Sequence, residues 1–482
     1  MGEKMEDIII IGGGIIGTLI ARNLSKYKLD VLLLEKENDV ANVTTMANSA
    51  IVHSGYDPVP HTKKAIFNVQ GNKMYDQLCK DLNVSFGRVG SLTVAIYDEQ
   101  LPMLEELAKR SKENGVEVQL LNAEEVKKLE PNINPNVKGG LLAPTAGIVD
   151  PFNLCVHAME NACDNGVKLH LNEEVIAIKQ NNGNFIVKTT KREYQARIVI
   201  NAAGLHSKEI AEMVEPVDWD ITPRKGEYFV LDHYAPGLVN HTIFPLPSEK
   251  GKGILVTMTT SGNYLVGPSS ELTDDNDDFS CDGLTLNQIK KSALEMVPNI
   301  PFNQVIRVFA GLRATCTRHD FVIEHAKTNK NFIILGGIES PGLASSPAIA
   351  KYVVEELVSP LIKLEEKQDY NPCVRPYINL KRLSDDVRNE MIKQNPEFGH
   401  IICNCEKVSL GEIKDILNRS CPPHSVKGVK KRVRAGFGKC QGGFCQPSIV
   451  NLLAKHFGIS KLDVLYDGEG SNIIVKTLKE GK

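Results

Sequence analysis

The chain has 482 residues, too many for one compact core, and at about 150 residues per domain it divides into about three units. An apolar fraction of 42% and a charged fraction of 24% are those of an ordinary globular protein. The net charge of −3, with neither half strongly basic, gives no bias toward nucleic acid.

DIIIIGGG, IIGTLIARNLSKY and DVLLLEK open the chain as strand, turn and helix, then strand. The strands are continuous apolar runs and the helix places Ile16, Ile20 and Leu24 on one face, the pattern of a parallel sheet covered on both sides. The apolar run Ile8 to Ala21 is broken by Gly12, Gly13 and Gly14 and is too short to span a membrane. The acidic Glu3, Glu6 and Asp7 before it do not make the basic flank of a signal peptide. Gly12-x-Gly14-x-x-Gly17 therefore stands between strand and helix, as a dinucleotide fingerprint must. The first glycine permits the tight turn, the second lets backbone approach a pyrophosphate, and the third packs helix on strand. The helix N-terminus offers amides to the phosphates, and Glu35, ending the second strand, is placed for a ribose hydroxyl. The fingerprint does not separate NAD from FAD.

From about Lys80 to Thr145, short alternating segments surround a polar helix, LPMLEELAKRSKENG. PFNLCVHAMENACDNGVKLHLN returns to helix and strand, and RIVINAAG to a buried strand. Residues from about 217 to 305 alternate, as in EYFVL, GILVTM and NYLVG, and predict an inserted antiparallel sheet. FIILGG and SPAIAKYVVEELV then close the first domain, and LIKLEEKQDYNPCVRPY reads as a linker. The expected class is α/β. A Rossmann-like nucleotide domain (1–80, 146–216, 306–365) carries an inserted antiparallel-sheet substrate domain (81–145, 217–305), followed by a linker (366–394) and a small tail domain (395–482).

The tail holds the clustered cysteines, Cys403-x-Cys405 and, within RAGFGKCQGGFC, Cys440 and Cys445. Four thiolates on two glycine-bordered loops suit an iron–sulfur cluster, whose sulfurs backbone amides could approach. Structural zinc is the alternative, although C-x-C is tighter than the usual zinc spacing. Cys79, Cys155, Cys163, Cys281, Cys316, Cys373 and Cys421 show no ligand spacing and read as core or surface thiols. Eleven cysteines without an export signal point to a reducing compartment, the cytoplasm. Lys427, Lys430, Lys431, Arg432, Arg434 and Lys439 crowd the same segment. They read either as a solvated face or as cations that raise the cluster's potential or steer an acidic redox partner.

Residues 5–365 resemble the FAD-dependent oxidoreductases of the D-amino-acid oxidase and glycerol-3-phosphate dehydrogenase superfamily. The resemblance rests on EKENDVANVTTMANSAIVHSGYD, GIVDPFNLCVHAMENACDNGVKLHLNEEVIAI, IVINAAG, GLRATCTRHDFVIE and GGIESPGLASSPAIA, in that order. It implies FAD, seated on Gly12, Gly14, Ile16, Gly17, Glu35, Lys36, Thr45, Asn48, Ser49, Val175, Ala203, Gly204, Gly311, Gly337, Gly342, Leu343 and Ala344. It would set the backbone of Val175 near the adenine. It would also set Gly342, Leu343 and Ala344 at the flavin pyrimidine edge, where a helix N-terminus stabilises negative charge. The tail resembles the bacterioferritin-associated-ferredoxin type of 2Fe–2S domain, with Cys403, Cys405, Cys440 and Cys445 as ligands.

Such an enzyme needs a base for the substrate proton while hydride leaves toward the flavin. The resemblance implies His53, in ANSAIVHSGYD, for that role, and Arg313, in AGLRA, for pairing with an anionic substrate through its fork. Lys225 and Tyr228, in TPRKGEYF, are further candidates for substrate contact. The two domains together resemble the catalytic subunits of anaerobic glycerol-3-phosphate dehydrogenases. That implies oxidation of glycerol 3-phosphate, or of a related polyol or 2-hydroxy acid, with electrons leaving through the cluster to a protein acceptor or partner subunit. Neither nucleic acid nor a membrane span is expected, and peripheral docking is compatible with the sequence. Those enzymes usually carry an arginine in the loop before the histidine, whereas TTMANSAIVH has none and is equally similar to L-2-hydroxyglutarate dehydrogenases and oxidases. Two other readings stand beside the first: a 2-hydroxy acid or amine oxidase using dioxygen, and a non-catalytic electron-transfer subunit.

Overall fold

Glu6–Ile11 pairs in parallel on both sides, with Val31–Leu34 and with Glu193–Asn201. Lys168–His170 and Phe332–Gly336 extend the sheet outward, each again in parallel. The computed structural model describes residues 5–233, 237–247 and 253–476; Glu3 lies outside them. Successive side chains of the central strand face opposite ways, so a continuous apolar run requires two cores. Ile8 and Ile10 pack with the helices Ile15–Leu24, Lys63–Asp81, Pro151–Asp164 and Gly342–Tyr352. Ile9 and Ile11 pack on the other side with Trp219 and the antiparallel strands Val175–Asn181 and Asn184–Thr189.

Among the described residues the second sheet has nine strands and is antiparallel except where Thr242–Pro245 runs parallel to Ser91–Ala95. Its longest members, Ile221–Leu231 and Val305–Cys316, pair from Ile221↔Cys316 to Leu231↔Val305. Residues 306–316, expected in the nucleotide domain, thus belong to the substrate sheet. VIRVFAGLRATC mixes arginines and threonine with its apolar residues, as a half-covered strand does, rather than forming the unbroken apolar run of the parallel sheet.

The expected linker is not loose. Arg22 donates to the Pro372 carbonyl at 3.0 Å, Asn371 N–H donates to Asn165 Oδ1 at 3.0 Å, and Asp385–Gln394 is helical. In the tail, Ser409 and Glu412 form a reciprocal cap on the helix Leu410–Leu417, as the order S-L-G-E dictates. The helices Val426–Val433 and Gln446–Phe457 complete a core around Ile413, Val429, Ile449 and Leu453.

The centre of the basic run is neither a solvated face nor a free steering patch, although Lys439 is exposed. Lys430, Lys431 and Arg432 are buried, and the last two close on Asp39 of the nucleotide domain at 3.0 and 2.7 Å. Burial opposes ionisation of Asp39, yet the Arg432 and Lys431 charges hold its pKa well below the usual carboxylate range. Stranding either sign of such a pair costs about 3–5 kcal/mol. Arg419 on Glu160 at 3.0 Å and Phe437 against Phe152 at 5.7 Å complete this contact, while Arg434 donates to Asn263 of the second sheet at 2.8 Å.

Trp219 is 2% exposed, and a Cβ on Gly336 would come within 2.9 Å of its ring. Trp219→Ala is therefore expected to lower stability by about 3–5 kcal/mol, read from urea unfolding by circular dichroism. A loss below about 1 kcal/mol would show that the indole does not anchor this core.

Candidate functional site

The phosphate turn is fixed by backbone contact. Gly12 has φ +110°, and a Cβ there would lie 2.5 Å from the Ala202 carbonyl oxygen; one on Gly17 would lie 2.0 Å from that of Gly12. The helix Ile15–Leu24 opens onto a cavity of about 1300 Å³. Its Ile15 amide donates to the Thr45 hydroxyl at 3.0 Å. Glu35 reaches across the turn and accepts from the amides of Gly13 at 2.5 Å and Glu37 at 2.8 Å. Burial raises its pKa while these two amides oppose the shift. Gly12, Gly14, Ile16, Glu35, Lys36, Thr45, Asn48, Ser49, Val175, Ala203 and Gly204 all line this cavity. Gly17 does not; it packs helix on strand.

At the far end the two sheets meet. A Cβ on Gly311 would lie 2.1 Å from the Ala47 carbonyl oxygen, so the loop Ala47–Ser49 rests directly on the strand Val305–Cys316. Asn48 ties that loop, accepting from the Ala50 amide and donating to the Thr45 carbonyl, both at 2.8 Å. The Ser49 and Tyr228 hydroxyls lie 2.8 Å apart. Gly311, Gly342 and Leu343 line the cavity where the helix Gly342–Tyr352 begins. Ala344 lies beneath them, its carbonyl against Gly71, and Gly337 turns against Cys316; neither lines the cavity.

His53 and Arg313 both line this cavity. The His53 carbonyl accepts from Asn68 at 2.7 Å and Asn72 at 3.0 Å, which fixes its backbone, and its ring lies 5.8 Å from that of Phe244. Arg313 donates to the carbonyls of Ser269 at 2.8 Å and of Arg224 and Lys225 at 3.3 Å. These neutral acceptors orient the fork without cancelling its charge. Burial lowers the Arg313 pKa.

Lys225 is not brought to the site. Strand parity sends Arg224, Gly226 and Tyr228 to the cavity and Lys225 to the opposite face, where it pairs with Asp278 at 2.7 Å. Arg224 is the residue that sequence reasoning missed. Its even spacing from Tyr228 was the available signal. It donates to Thr315 at 3.4 Å and Ser270 at 3.3 Å, beside Arg313 on the paired strand. Lys64, also on the cavity wall, pairs with Glu339 at 2.9 Å.

These residues fit an FAD. One end offers a helix N-terminus and an acid for ribose hydroxyls, and the other a second helix N-terminus and a glycine-floored wall.

The four tail cysteines arrive as two pairs. Cys405 and Cys440 sulfurs are 3.6 Å apart, and the Cys445 thiol donates to the Gly442 carbonyl at 4.0 Å. The neighbouring Cys445 is the main cause pulling the Cys403 pKa down to about 6, and Cys403 pushes Cys445 up. Amides of Glu406 and Gly436 point at the Cys403 sulfur, and those of Gly442 and Phe444 at that of Cys440. A Cβ on Gly438 would come within 2.3 Å of that of Cys405, so glycine lets the two loops meet. Among the described residues no three His, Cys, Asp or Glu side chains converge on a single-ion site. Two pairs with amide donors suit a two-iron cluster better than one tetrahedral zinc.

Residues 7–356 match the FAD dependent oxidoreductase family, and residues 401–455 match the BFD-like [2Fe-2S] binding domain. A glycerol 3-phosphate dehydrogenase of Caloramator mitchellensis is 44% identical over 98% of this chain and 99% of its own length. A glycerol 3-phosphate oxidase of Mycoplasma genitalium is 38% identical over 76% of this chain and 97% of its own. The solved FAD-bound L-alpha-glycerophosphate oxidase of Mycoplasma pneumoniae superimposes with a TM-score of 0.74 at 33% identity, covering 78% of this chain and 100% of that one. The chain belongs to the FAD dependent oxidoreductase family and is an FAD-dependent dehydrogenase with a 2Fe–2S domain.

Two outcomes follow from this geometry. Gly311→Ala should displace the Ala47–Ser49 loop and weaken FAD binding by at least about tenfold in a flavin titration. Cys440→Ser should abolish the cluster's visible absorbance while Cys421→Ser, buried without ligand spacing, retains it. Equal loss in both cysteine variants would contradict the ligand assignment.

Proposed function

We propose that this chain oxidises glycerol 3-phosphate at its secondary hydroxyl, with electrons leaving through the tail cluster to a protein acceptor. The observation that carries the reading is that His53 lines the same cavity as Arg224 and Arg313, which stand opposite each other on paired strands. Arg313, held by carbonyls, and Arg224, held by hydroxyls, bring two adjacent positive charges with which no carboxylate among the described residues forms an ion pair. A phosphate dianion suits that pair through bidentate contacts. The arginine absent from the loop before His53 is thereby supplied from the facing sheet. His53, its backbone tied by Asn68 and Asn72, takes the hydroxyl proton on a ring nitrogen. FAD, when bound, supplies the hydride acceptor, and the cluster supplies one-electron chemistry.

An exit toward a protein is supported by the uneven exposure of the thiols. Cys403 and Cys445 are each 1% exposed, whereas Cys405 and Cys440 are half-buried beside Phe444, which is 83% exposed. All eleven cysteines are free, consistent with work in the cytoplasm. Among the described residues no helix is long and apolar enough to cross a membrane.

Steady-state oxidation of glycerol 3-phosphate with a dye acceptor tests the assignment. His53→Ala should lower kcat about 10²–10⁴-fold with FAD and cluster retained. Arg224→Met should raise KM at least about tenfold, while Lys225→Met changes it less than about twofold. An unchanged KM in Arg224→Met would remove the phosphate site from this strand.

A further inference from the structure

The loop presenting Asn42 and Thr45 to the dinucleotide cavity is held in an unfavourable shape. Ala41 has φ 59° and Val43 has φ 54°, left-handed values that suit glycine and are rare for a β-branched residue. Such backbone persists only where its surroundings over-determine it. Inside the nucleotide domain, the Ala41 amide donates to the Gly13 carbonyl at 3.1 Å. At its far end Ile15 donates to the Thr45 hydroxyl at 3.0 Å and the Thr44 hydroxyl to the Leu312 carbonyl at 2.8 Å. On residues 39–42 the side-chain anchors from outside the loop come from the tail. Lys431 donates to the Val40 carbonyl at 2.7 Å and to Asn42 Oδ1 at 2.8 Å, on either side of Ala41, and pairs with Asp39 at 3.0 Å. Arg432 grips both Asp39 oxygens, at 2.7 and 2.9 Å, and is itself held by the Cys421 carbonyl. A Cβ on Gly428 would lie 3.0 Å from Asp39 Oδ2, so glycine lets the helix Val426–Val433 come this close.

We propose that the iron–sulfur domain completes the FAD site: Lys431 and Arg432 are positioning residues that hold the strained loop 39–45 against the phosphate turn. The two domains are then coupled through cofactor binding as well as through electron flow. The inference rests on the assignment of this loop to the phosphate end of FAD, and it is independent of the substrate.

The test uses the full chain with its cluster loaded. FAD is stripped and titrated back by flavin fluorescence, with iron content and the unfolding midpoint measured alongside. Lys431→Met should raise the FAD dissociation constant at least about tenfold with iron content unchanged. Arg419→Met is the control, because it removes the Glu160 contact between the same domains without touching the loop; it should change the constant less than about twofold. If Lys431→Met does not fold, Asp39→Asn is read in its place, with the same expected weakening. A dissociation constant within about twofold of the parent in the loop variant overturns the proposal. Equal weakening in Arg419→Met overturns it too, because FAD would then depend on docking in general.

Discussion

The backbone of Gly12 lies so close to Ala202 that no side chain fits between them, and that of Gly17 lies equally close to Gly12. Much of the site follows from this contact. It ends the central strand, aims the helix Ile15–Leu24 at the cavity and brings Glu35 across to the turn. Thr45 then meets the helix N-terminus, and the chain beyond it reaches Gly311 of the second sheet. The phosphate turn and the second sheet are therefore joined by one short loop.

Two groups of buried cations show how environment assigns different roles to one residue type. Arg432 is buried against a carboxylate that matches its charge and fork, so its charge is spent inside the protein. Arg313 is buried against carbonyl oxygens, which direct the guanidinium without setting a formal negative charge against it. Burial alone does not distinguish them. The partner does.

The glycine fingerprint, the ribose acid and the two cysteine pairs were legible because each is a local spacing with a local physical reason. The reading of Lys225 missed the strand's parity: in TPRKGEY it is Arg224, one position earlier, that faces the cavity with Tyr228. The strand Val305–Cys316 was assigned to the wrong sheet because its partner, Ile221–Leu231, is distant in sequence. The basic run was the least legible feature. Asp39 and Arg432 are 393 positions apart, and no short-range pattern shows that a single aspartate in one domain absorbs two cations from another. A run of lysines and arginines is ordinarily solvated; here a buried carboxylate and a close-approach glycine reverse that expectation.

The most direct measurement is an anaerobic stopped-flow record of the fully loaded protein mixed with glycerol 3-phosphate, followed at flavin and iron–sulfur wavelengths. Flavin absorbance is expected to fall first and cluster absorbance afterwards, at a rate independent of protein concentration. A flavin that stays oxidised would contradict the substrate. A reduced flavin beside a cluster that never changes would contradict the electron path.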